Sequence, residues 1–192
     1  MANDSSTGGY LPPAGAPAPV EDAALDALLQ LVVVGITGLP GNLVRPRWQP
    51  NPPKQPEPSV SWCAIGVTVI TPDAGPYIEH VAAVNGQDNL QRHETIEIAC
   101  TFYGPQAGTN AALLRDGLSI PQNTETLQLQ GMGLVECTGF RAVPELVNQQ
   151  WIKRYDIGVV LRRQVKRSYG ILNILSANPT LISDEIGIIS KP

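Results

Sequence analysis

Between Arg45 and Ser59 the chain reads RPRWQPNPPKQPEPS, which holds six prolines, and at Val60 a strongly apolar run begins, VSWCAIGVTVIT. Proline fixes φ, lacks an amide donor and pushes the residue before it out of the helical region. Residues 46–58 therefore cannot coil into a helix or sit inside a sheet. They read as an extended strap near polyproline II, with backbone groups left to solvent or to a neighbour. The run that follows, Val60–Thr71, is β-branched and apolar on both faces, as a central strand is. A stiff segment beside a core strand divides the chain into a body and a part that spans a surface.

The rest of the chain builds that body. Residues 1–19 are rich in Ser, Gly, Ala and Pro and bury too little apolar area to offset their ordering entropy, so they read as a flexible N-terminal arm. Over Glu21–Val34, Leu25, Leu28, Leu29, Val32 and Ile36 recur at helical spacing, with Glu21 and Asp22 in the first turn, and Gly35 and Gly38 are expected to end the helix. Residues 72–92 read as a connection with a hairpin turn at Asn85-Gly86. His93–Tyr103 alternates, with Ile96, Ile98, Cys100 and Phe102 facing one way.

Gln106–Gly117 reads as a helix with Leu113 and Leu114 inward, Pro121–Gln130 as a second helical piece, and Val135–Arg141 as a short strand. Pro144–Gln149 reads as a turn or short helix. Trp151–Val165 alternates again, with Tyr155, Ile157, Val159 and Leu161 on one face, and Tyr169–Leu175 is expected to pair back through a turn near Lys166-Arg167. Residues 177–192 form a C-terminal tail. The expected fold is a single α+β domain over residues 20–176, a mostly antiparallel sheet covered by helices, with extended proline-rich arms.

Composition limits what this body does. With 192 residues, 43% hydrophobic and only 16% charged, the chain has a core but a surface carried by Gln, Asn, Thr, Ser, Gly and Pro. Such a surface is compatible with burial against partners. A net charge of −4 gives no general nucleic-acid footprint. Cys63, Cys100 and Cys137 lie far apart inside apolar runs and read as free buried thiols of a protein folded in a reducing cytoplasm. The polar start lacks a basic leader region, and the longest apolar stretch, Leu28–Leu39, is too short to span a membrane.

No catalytic pattern emerges. The two histidines, His80 and His93, each neighbour a glutamate, Glu79 and Glu94, but their spacing matches no metal-ligating motif, and both read as exposed loop residues. GxGxxG, GxxxxGK[ST] and GxSxG are absent. No enzyme activity, cofactor, metal or catalytic residue is assigned.

Two features remain for function. Of 13 Lys and Arg residues, six fall in one short run: Lys153, Arg154, Arg162, Arg163, Lys166 and Arg167. Strand cations guard an edge against aberrant pairing; the same charges also suit phosphates or an acidic partner. Trp48 sits inside the strap beside Pro50, Pro52 and Pro53. It either packs on its own domain or anchors the strap in a neighbouring subunit.

The segments DALLQLVVVGITGLPGNLVRPRWQ, SWCAIGVT and WIKRYDIGVVLRRQVKRSYGILNILSA together resemble the neck or tail terminator proteins of tailed bacteriophages, over roughly residues 22–185. The resemblance implies a structural virion protein that assembles as a hexameric ring at the neck. Such a ring terminates the tail tube and joins it to the head-side connector, with tail tube and sheath proteins as further partners and genome DNA passing non-specifically through the lumen. The strap residues Trp48, Pro50, Pro52 and Pro53 then become inter-subunit contacts. Arg154, Arg162, Arg163, Lys166 and Arg167 become lumen or ring-stacking charges. Assembly is expected in the host cytoplasm, with no membrane partner. Alternatives are another head-tail connector or completion ring, or a small nucleic-acid-binding domain.

Overall fold

The computed structural model describes residues 9–14, 18–82, 86–147 and 149–171. Its element order is α1 (Asp22–Thr37), β1 (Val44–Pro46), β2 (Trp62–Pro72), β3 (Tyr77–Val81), β4 (Gln87–Tyr103), α2 (Ala107–Leu118), α3 (Glu125–Gln128), β5 (Met132–Cys137), β6 (Arg141–Ala142), β7 (Glu145–Val147), β8 (Gln150–Ile152) and β9 (Arg154–Gly170). A seven-stranded sheet runs in the order β1-β2-β4-β9-β5, with β3 beside β4 and β6 beside β9, and β7-β8 form a separate hairpin. Among the described residues only β1 pairs in parallel. The chain is a single α+β domain with a mostly antiparallel sheet and three helices.

Alternation explains which face carries the core. Ile96, Ile98, Cys100 and Phe102 of β4 lie at 0–3% exposure, and Ile157, Val159 and Leu161 of β9 face the same way at 1–5%. The helices cover this face. Leu25, Leu29, Val32 and Val33 of α1 and Ala107, Ala111, Leu114 and Leu118 of α2 are buried against it. Two Cys thiols are sealed in this layer. Burial, with Cys137 close by, pushes Cys100 up to about 12, and burial also raises Cys63.

Several local expectations are corrected. Gly35 does not end α1, because its backbone is helical; the helix continues to Thr37, and Gly38 at φ 71 ends it by donating to the Val34 carbonyl. Leu113 is not inward: it is 45% exposed, since the α2 stripe runs through Ala111 and Leu114. Residues 72–92 hold β3 and the start of β4, which pair from Tyr77↔Gln91 to Val81↔Gln87. The expected turn at Asn85-Gly86 falls largely outside the described residues, which omit 83–85; Gly86 takes φ 64. His80 and His93 thus stand on strands, not loops. Residues 135–141 are not one strand: β5 ends at Cys137 and β6 begins at Arg141. Pro144–Gln149 holds a strand as well as a turn: β7 takes Glu145–Val147, and Gln149, at φ 64, lies in the turn before β8.

The largest correction concerns Lys166-Arg167. There is no turn there. β9 runs straight to Gly170 and pairs with β4 across its whole length, from Tyr103↔Arg154 to Gln87↔Gly170. Seventeen residues at about 3.3 Å each make a ribbon about 55 Å long. Ala14 of the N-terminal arm docks near the Gly170 end of β9, donating to Ser168 O at 2.7 Å. The C-terminal tail, 177–192, lies outside the described residues.

Candidate functional site

The face of the sheet away from the helices is where the predicted strap meets Arg154, the first of the five predicted basic residues. After β1 the Arg47 amide donates to Ile65 O at 2.7 Å, so the strap stays on β2 for one more residue. Trp48 then takes φ 56, a strained left-handed conformation for a bulky side chain, and turns the chain off the sheet. Gly66 makes the crossing possible: a Cβ there would lie 2.9 Å from Trp48 Cζ3 and 3.0 Å from Arg47 Cβ.

The strap is not a straight extended segment, as expected over 46–58. Arg45 Nη1 donates to Lys54 O at 2.8 Å and Gln49 Nε2 to Pro46 O at 2.9 Å, which folds it back on itself. Residues 52–57 belong to no regular element. Trp48 is 70% exposed despite its contact with Gly66, and Pro50, Pro52 and Pro53 are exposed beside it. Trp48, Pro52 and Pro53 line a cleft of about 350 Å³ over Trp62 and Tyr103.

That cleft has a cationic and aromatic floor. Trp62 and Tyr103 are register partners and stack at 4.4 Å with planes 10° apart. Arg45 sits 5.7 Å over Trp62 and Arg154 5.8 Å over Tyr103, one at each end of the row. Arg154 is a fixed charge. It donates to both Asp156 oxygens at 2.9 Å and pairs with Glu145. The bonds to Asp156 and Glu145 raise its pKa further, against burial. Burial pushes the Asp156 carboxyl up, but hydrogen bonds from Arg154 and Thr101 outweigh it and hold the group below the usual carboxylate range.

Beside this row the open face forms a trough of about 740 Å³, floored by Ala99, Thr101 and Gly158 and banked by Arg47 and by residues 138–143. Arg47 Nη2 donates to Thr101 Oγ1, while its buried Nε has no partner. On the opposite bank Gly158 N donates to Thr138 Oγ1 at 2.8 Å. The floor is small and polar, which suits an inserted side chain or backbone segment.

The structure separates the five predicted basic residues. Arg154 lies on the open face. Arg162, also on that face, pairs with Asp73 at 2.6 Å. Arg163 points to the helical side and is 2% exposed, bonded to Glu94 and Val20. It does not lead into a turn, because the strand continues through it. Arg167 pairs with Glu21 at 2.9 Å, and Lys166 is exposed with no ion pair among the described residues. His80 Nδ1 lies 2.9 Å from Asp88 Oδ1, and no three metal-ligating side chains converge among the described residues.

Sequence reasoning missed Arg47, Thr101 and the acidic partners of the arginines. It also missed the exposed Leu146–Trp151 pair on the β7-β8 hairpin, 59% and 71% exposed. One signal was available. Gly66 interrupts an otherwise β-branched strand, and a strand glycine marks close approach of another backbone.

Compared with known proteins, residues 23–185 match the family model described as phage neck terminator protein. No curated protein matches the chain.

Proposed function

The chain belongs to the phage neck terminator family, and we propose that it assembles as a hexameric ring at the neck of the virion. In this reading the ring ends the tail tube, joins it to the head-side connector and passes the genome through its lumen. The family is a structural one that associates with other phage head and tail proteins. Among the described residues no helix is long and apolar enough to cross a membrane. Sheath contacts and assembly in the host cytoplasm belong to the proposal.

The observation that carries the ring is Trp48. A tryptophan 70% exposed, held at φ 56 by a pinned strap, is unfavourable in a lone subunit. A neighbour that buries it offsets that cost. Pro50, Pro52 and Pro53 limit what the strap loses in entropy when it docks. Lys153, Arg162 and Lys166 are the exposed basic residues of the run; in this reading Lys166, with Arg162 beside Asp73, supplies the lumen or stacking charge.

A nucleic-acid-binding domain is the weaker reading. Arg154, Arg162, Arg163 and Arg167 are each engaged by an acidic side chain, which leaves little charge for phosphates. Negative-stain imaging and native mass spectrometry of the purified full-length chain test the ring. Closed six-fold rings are expected. A monomer at every concentration overturns the reading.

A further inference from the structure

Next to the buried Arg163–Glu94 pair, the β4-β9 ribbon carries a second group of charges on its helical side. Alternation puts Leu90 and Arg92 of β4 on that face with Glu94, and Val165, Arg167 and Tyr169 of β9 with Arg163. Arg92 stands opposite Val165, diagonal to Arg163 on one side and to Arg167 on the other. Between this stretch of ribbon and Glu21, the residue that opens α1, lies a pocket of about 190 Å³. Leu90 and Val165 form its apolar part, and Arg92, Arg167 and Tyr169 bring donors to it.

The charges around this pocket do not cancel. Arg163 is taken up by Glu94, and Arg167 gives Nη2 to Glu21 at 2.9 Å. Arg92 forms no ion pair among the described residues, although Glu21 and Glu94 line the same pocket. Its Nε is buried and has no hydrogen-bond partner among the described residues. Two pairs and one unmatched guanidinium leave a single positive charge. Arginine does not deprotonate in proteins, so Arg92 keeps that charge. A buried donor without an acceptor costs stability, and a charged one costs more.

An acceptor with one negative charge removes this cost. A carboxylate meets the requirement: its two oxygens match the guanidinium fork. The Tyr169 hydroxyl and the Arg167 nitrogens not given to Glu21 supply further donors. The volume equals that of about six waters at roughly 30 Å³ each, which admits the carboxylate and the first carbons of its stem. A doubly charged phosphate would instead meet Glu21 and Glu94 with only one excess positive charge to hold it.

We propose that this pocket binds one carboxylate on Arg92, with the carbon stem of the acid lying on Leu90 and Val165. The site does not rest on the ring reading.

The probe is sodium acetate, titrated against sodium chloride at equal ionic strength and read by the Tm of the full-length chain. Acetate at about ten times its Kd is expected to raise the wild-type Tm by about 2–4 °C. Arg92→Gln removes the unmatched charge, so in chloride it should melt at or above wild type, and acetate should not shift it. Glu21→Gln frees Arg167 and should lower the acetate midpoint several-fold. That variant keeps its fold, because the backbone carbonyl of residue 21, not its side chain, accepts the first amides of α1. An equal acetate shift in wild type and Arg92→Gln overturns the site. So does an Arg92-dependent shift given by sodium phosphate and not by acetate, or a midpoint that Glu21→Gln leaves unchanged. A free acid and an acidic side chain of a neighbouring copy offer the same carboxylate, and light scattering in chloride separates them. With the acetate shift present, rings lost in Arg92→Gln assign the carboxylate to the neighbour, and rings kept assign it to a free acid. A monomeric wild type that still shows the shift overturns the ring and leaves this site standing.

Discussion

Arg163 and Glu94 form a buried ion pair between β9 and β4. Arg163 Nε donates to Glu94 Oε1 at 2.8 Å, Nη2 donates to the same oxygen, and Nη1 donates to the Val20 carbonyl at 2.5 Å. The two residues are direct register partners, 2% and 9% exposed. The third bond ties the segment that enters α1 to the sheet. One guanidinium thus joins the two longest strands to the start of the helical layer.

Removing one member of this pair leaves an uncompensated buried charge, which costs about 3–5 kcal/mol. Glu94→Gln and Arg163→Gln are each expected to lower the urea-unfolding free energy by that order. The double change to Glu94→Leu with Arg163→Met should recover much of the loss. Single variants within experimental error of wild type would show the pair to be unimportant.

Asp156 predicts acid behaviour. Its carboxyl is held below the ordinary aspartate value of about 3.8 in the folded chain. The unfolded chain therefore takes up the proton first, and the stabilisation is complete above about 3.8 and lost as pH falls through the lower folded value. The gap in unfolding free energy between wild type and Asp156→Asn should be flat near neutrality and shrink in acid below that point. A gap that stays constant into strong acid refutes the assignment.

Trp48→Ala should weaken assembly while changing the stability of the isolated subunit by less than about 1 kcal/mol, because the ring is mostly exposed. Gly66→Ala should do the same by another route, since its Cβ displaces Trp48 and Arg47. A Trp48→Ala chain that assembles normally but melts early places the tryptophan in its own core instead.

The exposed basic residues are tested by Arg162→Gln with Lys166→Gln. Arg163 must be left intact, because its loss acts on folding. The double variant should melt within about 1 kcal/mol of wild type. If these charges line the lumen or the stacking face, particle yield or genome retention falls. Virions with normal yield, genome and infectivity would mean the charges only guard the strand.

The core was legible because its signal is local. The alternation of Ile96, Ile98, Cys100 and Phe102, and of Ile157, Val159 and Leu161, follows from the two-residue period of a strand and needs no partner to be read. The α1 stripe was legible for the same reason at the helical period. The strap's proline content fixed its lack of helix, and Trp48 inside it was visible as a candidate anchor. The ends of elements were less legible. Lys166-Arg167 looks like a turn because it is polar. It is a strand because Leu90 and Gln91 lie opposite and supply its hydrogen bonds.

The order of residues along the chain is therefore enough to say which residues alternate, which coil and which can do neither. Where the charges go depends on the assembled sheet. Arg162 and Arg163 are neighbours in one basic run, yet the strand pleat sends one to the open face and the other into the core. Arg163 is tolerated there because Glu94, 69 residues away, arrives opposite it. Arg162 instead meets Asp73, 89 residues away, at the joint of the β2-β3 edge. Those pairings depend on the register between strands, and register is a property of the assembled sheet that no single segment carries.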